Sequence, residues 1–307
     1  MSYYPILRSK SNELLALREL SEREPFGWKI FPIIEPVSDS AATIRSLEGI
    51  TRLGTSYGLI INPSVGSLMG NPSPGMTQLL ADLDASDAEY MPFFFVTDST
   101  ALAVFTRFTR RFPTGELGVI FHDEPSAAFI AAVESEARVT RIVYFEDRLP
   151  VAFSSNFTNA ELVPFRDRFN RQTRNADYPR DELFCDVSIV SANSQSFHFK
   201  DYSIVGSHFS ESGGPAYAVA LHHAYFTRTR SLHIRHYLSD DTTTPTDPGS
   251  KFIQALSKLV RDLPGFGQIN ETSVCDTYRT LFAQRHFPGL GVPKKLAISH
   301  HLELLLK

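Results

Sequence analysis

Only two of the 307 residues are cysteine, and Cys185 and Cys275 stand far apart in the chain. That spacing excludes a CxxC zinc ribbon and fits a reducing compartment. A single tryptophan stands against 24 phenylalanines, so the core is expected to be Phe-rich. No apolar run approaches the roughly 20 residues of a membrane span. The opening MSYYPILRSKSNE turns polar after seven positions, unlike a secretory leader, so the expected location is the cytoplasm. An excess of charge of one sign is also lacking, with 30 Lys and Arg against 34 Asp and Glu. A formal net charge of −4 and a pI near 6.2 provide no global basic field, and nucleic acid is not indicated as a partner. There is no solenoid-type repeat and no low-complexity tract. There is also no GxSxG elbow and no HxH or HExxH metal spacing, so no metal ligand is assigned and any cofactor is unknown.

What the chain does have is a recurring pattern over its first 210 residues. Eight short apolar runs each end in a polar residue: 3 to 8, 29 to 35, 57 to 62, 91 to 97, 117 to 122, 140 to 146, 161 to 166 and 202 to 207. Continuous apolar runs of this length read as buried parallel strands. Stretches such as NELLALREL, AATIRSLEGI and AAFIAAVESEA lie between them, with apolar residues at three- and four-residue spacing. Ser11 and Ser38 stand where N-caps are expected. The pattern predicts an α/β fold, a (β/α)8 TIM-barrel-like domain over 1–210. An open doubly wound sheet is the rival. It usually carries a Gly-rich loop after its first strand, and RSKSNE contains no glycine. The segment 167 to 201 is long for one crossover, and its ELFCDV could be an extra strand.

From about residue 211 the period changes. AYAVALHHAYF and LHIRHYL alternate on either side of a short polar linker, which predicts a β-hairpin over 216–238. Asp247 and Pro248 then mark entry into an amphipathic helix, KFIQALSKLVRDL, and a terminal helix follows. Residues 211–307 are read as a hairpin-plus-helix extension packed on the barrel within one structural domain. If the hairpin exposes Tyr217, Val219 and Tyr225, it becomes a surface for a homo-oligomer or a second protein. His222 and His223 are neighbours on a strand and point to opposite faces, so they cannot together hold one ion. His300 and His301 read as part of the terminal helix.

Several segments resemble a known family: LRSKSNE, IIEPV, IINPSVG, DYSIVG, SESGGPAYAVALHH and HFPGLG. Together they span nearly the whole chain and are similar to a bacterial family of unassigned function related to the beta protein of T-even phages. The resemblance implies a TIM-barrel-like fold and a mobile-element neighbourhood, often beside a second small protein. It brings no reaction and no catalytic residues.

Barrels of this kind carry their sites at the C-terminal ends of the strands. Lys10, Glu35, His122 and Glu146 are the candidate catalytic groups there, with Asp123 as a further oxygen donor. Arg8, Asn62, Arg166, His208, Ser212, Gly213 and Gly214 are the candidate substrate-binding residues. Lys10 is expected to neutralise the carboxylates, because Glu35 and Glu146 cannot share a low-dielectric mouth without a cation or a proton. The double glycine either cradles phosphate or simply permits a turn. Two functions follow from this sequence. One is a partner or recognition subunit, possibly of a phage-conflict system. The other is a hydrolase or lyase acting on an anionic, phosphate-bearing or nucleotide-like small molecule, so enzyme status stays open.

Overall fold

The structure is a computed structural model that describes residues 2–70, 73–186, 198–211, 214 and 217–307. The chain opens with the two-residue strand β1 (Ser2–Tyr3) and then alternates strands with helices. The series runs β2 (Ile6–Arg8), α1 (Ser11–Arg23), β3 (Ile33–Glu35), α2 (Ala41–Arg52), β4 (Gly58–Ile60) and α3 (Pro74–Ala85). It continues with β5 (Met91–Val96), α4 (Leu102–Arg111), β6 (Leu117–Phe121), α5 (Ala127–Glu134), β7 (Val139–Phe145) and β8 (Glu161–Phe165). Strands β2 to β8 form one seven-stranded parallel sheet in consecutive order. That order has no reversal of direction along the sheet, unlike a doubly wound sheet, and it matches the first seven apolar runs.

Alternate residues of these strands face two different cores. Phe93 and Phe95 point into the curl with Ile6, Ile33, Ile60, Ile120, Phe145 and Phe165. Phe94 and Val96 face outward, against Phe105, Phe108 and Phe129 of the helices. Both faces being apolar is why the strands read as continuous runs. The inner core is filled by aromatic rings, and glycine makes room for one of them. A Cβ at Gly58 or Gly118, on the strands flanking β5, would run into the Phe93 ring.

The eighth run is not a strand. Residues Ser203–Val205 form a 3-10 turn, and Gly206 follows at φ 70°. The cause is local: the Asp201 carboxylate accepts the Ser203 N–H at 2.7 Å, which holds the backbone in a turn. Lys200 and Asp201 bridge the gap instead. Arg166 N–H donates to Lys200 O at 3.1 Å, and Ile6 N–H donates to Asp201 O at 2.9 Å. The sheet is therefore a curled, seven-stranded half-barrel, not the closed eight-stranded barrel that the repeats predict.

Of the ELFCDV segment, Glu182 to Asp186 lie in a strand, β9 (Asp181–Asp186), Val187 being outside the described residues, and β10 (His198–Phe199) pairs in parallel with β1. The predicted hairpin comprises β11 (Ala220–Phe226) and β12 (Ser231–Leu238), and β12 also pairs with β9. This second sheet thus draws strands from both sides of residue 210. Helices α6 (Pro248–Phe266), α7 (Ser273–Ala283) and α8 (Gly291–Leu306) complete the chain. The hairpin is not a free surface. Val219 and Leu221 are buried with Phe252 and Leu256 of α6, and only Tyr217 of the expected patch is well exposed, at 50%. Tyr225 is half-buried and donates its hydroxyl to Asp181 at 2.7 Å. Asp247 caps α6 as expected. Ser11 is instead the first residue of α1, and Ser40 rather than Ser38 caps α2. Among the described residues no helix is long and apolar enough to cross a membrane.

Candidate functional site

Parallel pairing places Arg8 directly beside Glu35, at the C-terminal ends of β2 and β3. Both are buried, and Arg8 Nε lies 3.5 Å from Glu35 Oε2. Glu35 Oε1 also accepts the Ser64 N–H at 2.8 Å and the Ser64 hydroxyl at 2.7 Å. The counter-ion of Glu35 is therefore Arg8, not Lys10. Asn62 faces the next strand: its amide donates to Phe95 O at 2.7 Å and accepts the Phe95 N–H at 2.8 Å. These two bonds extend the β4–β5 ladder by one side-chain rung.

The other mouth residues are held in a similar way. His122 Nδ1 lies 2.8 Å from Asp123, and its ring packs on Phe145 with centroids 4.8 Å apart. Asp123 also meets Arg148 at 2.9 Å. Its carboxyl is lowered because the His122 and Arg148 hydrogen bonds outweigh burial, the largest single effect and one that acts the other way. Glu146 is exposed and lies 3.7 Å from Arg168. Arg166 and His208 are exposed. Gly214 stands in open space, whereas Ser212 and Gly213 lie outside the described residues. Thus the candidate carboxylates are each closed against their own cation. Cys185 is buried, and burial pushes its thiol up to about 11, away from thiolate chemistry.

The open volume lies to one side of these pairs. A cleft of about 980 Å3 runs past Ser9, Lys10 and Asn12 to Ser38, Thr43 and Arg45, and is closed by Phe209 and Lys294. Three helices begin at its wall, α1 at Ser11, α2 at Ala41 and α8 at Gly291. The first N–H groups of a helix have no intrahelical partner, and α1 and α8, unlike α2 with its Ser40 cap, have no side-chain acceptor for them either. Glycine permits the convergence. A Cβ at Gly291 would collide with the Asn12 amide, and Gly66, at φ 84°, lies against Val37.

Four cations line the cleft (Lys10, Arg18, Arg45 and Lys294) against one carboxylate, Glu211. Lys294 pairs with Glu13 at 2.7 Å and Arg18 with Glu22 at 3.7 Å. Lys10 and Arg45 form no ion pair among the described residues. Lys10 donates to Ser210 O and lies 5.0 Å from the Phe209 ring centroid, with the Arg8 guanidinium 5.7 Å from the same ring. Burial and then the Lys294 ammonium hold the Lys10 ammonium below its usual range. Burial, followed by Arg171, Arg8 and Lys10, lowers the His208 imidazole in the same way.

Sequence reasoning missed Arg45, Phe209 and Lys294 as cleft residues, because none follows a strand end within a recognisable motif. It also missed Lys200, which is fully buried, 5.4 Å from the Tyr4 ring centroid and, among the described residues, without a hydrogen-bond partner for its ammonium. A second depression, of about 670 Å3, sits on the opposite face among loops that precede the strands, around Tyr57, Tyr90 and Arg111. In barrels that face serves stability. No family model, no curated protein and no solved structure matches this chain.

Proposed function

We propose that this chain is a recognition protein, built on a half-barrel, whose ligand is a phosphate-bearing anion held in the cleft beside the ends of β2 and β3. The observation that carries this reading is the convergence of three helix N-termini with four cations against a single carboxylate in one cleft. All three N-termini present a positive dipole end, and those of α1 and α8, which have no side-chain cap, also offer N–H groups; a phosphate satisfies both. Hydroxyls of Ser9, Ser38, Thr43 and Ser67 at the wall are suited to its remaining oxygens. Recognition rather than turnover is the better reading. Among the described residues the cleft wall has no histidine or cysteine, and the buried carboxylates beside it are committed, Glu13 to Lys294 and the Arg8 N–H, and Glu35 to Arg8 and Ser64. The resemblance to the phage beta protein family would make the chain one part of a two-protein system, with the anion as its signal or cargo.

The test is calorimetric titration with inorganic phosphate, pyrophosphate and a nucleoside triphosphate at low and high salt. Binding that weakens with ionic strength is expected. Lys10→Gln combined with Arg45→Gln should lower affinity about tenfold or more, roughly 1.4 kcal/mol, with the thermal midpoint unchanged. No binding at about 10 mM of any of these probes, or unchanged affinity in the double variant, overturns the reading.

A further inference from the structure

His223, Cys275 and His300 are separated widely in sequence, yet their donor atoms lie within 4.8 Å of one another. They come from β11, α7 and α8, and all three residues are 0% exposed. The His223 and His300 rings stack with centroids 4.0 Å apart and planes 17° from parallel. Among the described residues neither nitrogen of His223 has a hydrogen-bond partner. The hydroxyl of Tyr278, on the same helix as Cys275, also has none. Native interiors rarely leave a buried imidazole wholly unsatisfied, so the pair of orphan nitrogens requires an explanation.

His300 shows the arrangement of a prepared ligand. Its Nε2–H donates to Ala224 O at 2.8 Å, which fixes the tautomer and leaves the lone pair on Nδ1. Imidazoles that bind metals usually anchor their other nitrogen in this manner. Nδ1 now accepts the Thr272 hydroxyl at 2.7 Å, and the same hydroxyl lies 3.6 Å from Cys275 Sγ. The Thr272 hydroxyl thus stands between the sulfur and the nitrogen, where the two donors would share an ion.

We propose that His223, Cys275 and His300 bind a thiophilic d10 cation, zinc(II) or copper(I), which ties β11, α7 and α8 together. One thiolate and two imidazoles form a soft to borderline donor set of the kind that selects these ions over magnesium or calcium. Binding breaks the Cys275 S–H bond and forms a sulfur–metal bond, the proton leaving to solvent. Nδ1 of His300 exchanges the Thr272 hydrogen bond for the metal. The separation of up to 4.8 Å must contract to about 3.5 Å for metal bonds of about 2.0 to 2.3 Å, and because the two imidazole planes are 17° from parallel, the His223 ring must also turn out of the stack so that both lone pairs meet at the ion. This site is distinct from the anion cleft and independent of the function proposed for it.

The test measures zinc and copper in the full-length protein produced in medium supplemented with either metal. About one equivalent per chain is expected in the wild type and in Cys185→Ser, the control at the other buried cysteine. Cys275→Ser and His223→Gln should each lose most of it. Whichever metal is retained identifies the ion. X-ray absorption at that metal's edge should show one sulfur scatterer at about 2.3 Å with nitrogen neighbours. That measurement uses the wild type and holds even if the variants fail to fold. Retention of neither metal, a spectrum without sulfur, or full metal content in Cys275→Ser would overturn the proposal.

Discussion

Replacing Glu35 by glutamine isolates the buried pair at the mouth. The substitution is close to isosteric, and the new carbonyl can still accept both Ser64 bonds, at 2.8 and 2.7 Å. The loss falls on Arg8, which is 6% exposed and would face an amide NH2 in place of a carboxylate. Breaking one side of a buried ion pair costs about 3–5 kcal/mol. Arg8 retains Ser207 O at 2.6 Å and the Tyr202 ring at 5.2 Å, which argues for the lower end, about 3 kcal/mol. For a chain of 307 residues the unfolding entropy is roughly 0.6 kcal/mol per degree, so the midpoint should fall by about 5 °C. Calorimetry and urea unfolding read this directly. Arg8→Met combined with Glu35→Gln should recover more than half of the loss, because no charge is then left unpaired. A fall in midpoint of less than about 1 °C for Glu35→Gln alone would show that Arg8 does not depend on Glu35, and the account of the mouth as a set of closed ion pairs would fail.

Asn62→Ala removes the side-chain rung to Phe95 and should cost about 2 kcal/mol in urea unfolding, and Asn62→Asp, which keeps the acceptor but sets a carboxylate oxygen against the Phe95 carbonyl, should cost at least as much. Gly118→Ala drives a methyl into the Phe93 ring and should cost about 1–3 kcal/mol by the same assay; a neutral result would mean that the inner core has slack. Lys200 and Asp201, which bridge the ends of the sheet between β8 and β2, should make stability depend on pH. Burial raises the Asp201 carboxyl to about 6, so the folded state holds a proton that the unfolded chain releases near pH 4. Stability present below pH 4 is then lost as pH rises through 6, by roughly 3 kcal/mol, and Asp201→Asn should abolish that fall. Burial lowers the Lys200 ammonium to about 7, so the unfolded chain binds the extra proton and stability should climb between pH 7 and about 10. Lys200→Met should remove the climb, and a flat profile in the wild type over both windows would contradict the burial of the two groups.

The parts of the fold legible in the sequence are those in which burial is decided locally. Continuous apolar runs such as MPFFFV marked strands covered on both faces, three- and four-residue spacing marked the helices, and strict alternation marked β11 and β12. The eighth run failed because YSIVGS has the same apolar content as a strand while the Asp201 carboxylate bends it into a turn. Hydropathy does not register that competition for a backbone N–H. The mouth residues were legible as strand ends, but their pairing was not. Arg8 rather than Lys10 meets Glu35 because strand register places residue 8 against residue 35, and register depends on the whole sheet. The cleft joins residues 10, 45, 209 and 294, and the buried cluster joins 223, 275 and 300, each across three or more elements. Periodicity reports which face of an element is covered and contains nothing about what covers it. The sequence by itself therefore determined the elements and their buried faces. Tertiary packing alone decided which charges neutralise one another, which helix ends converge and which donors come within reach of one ion.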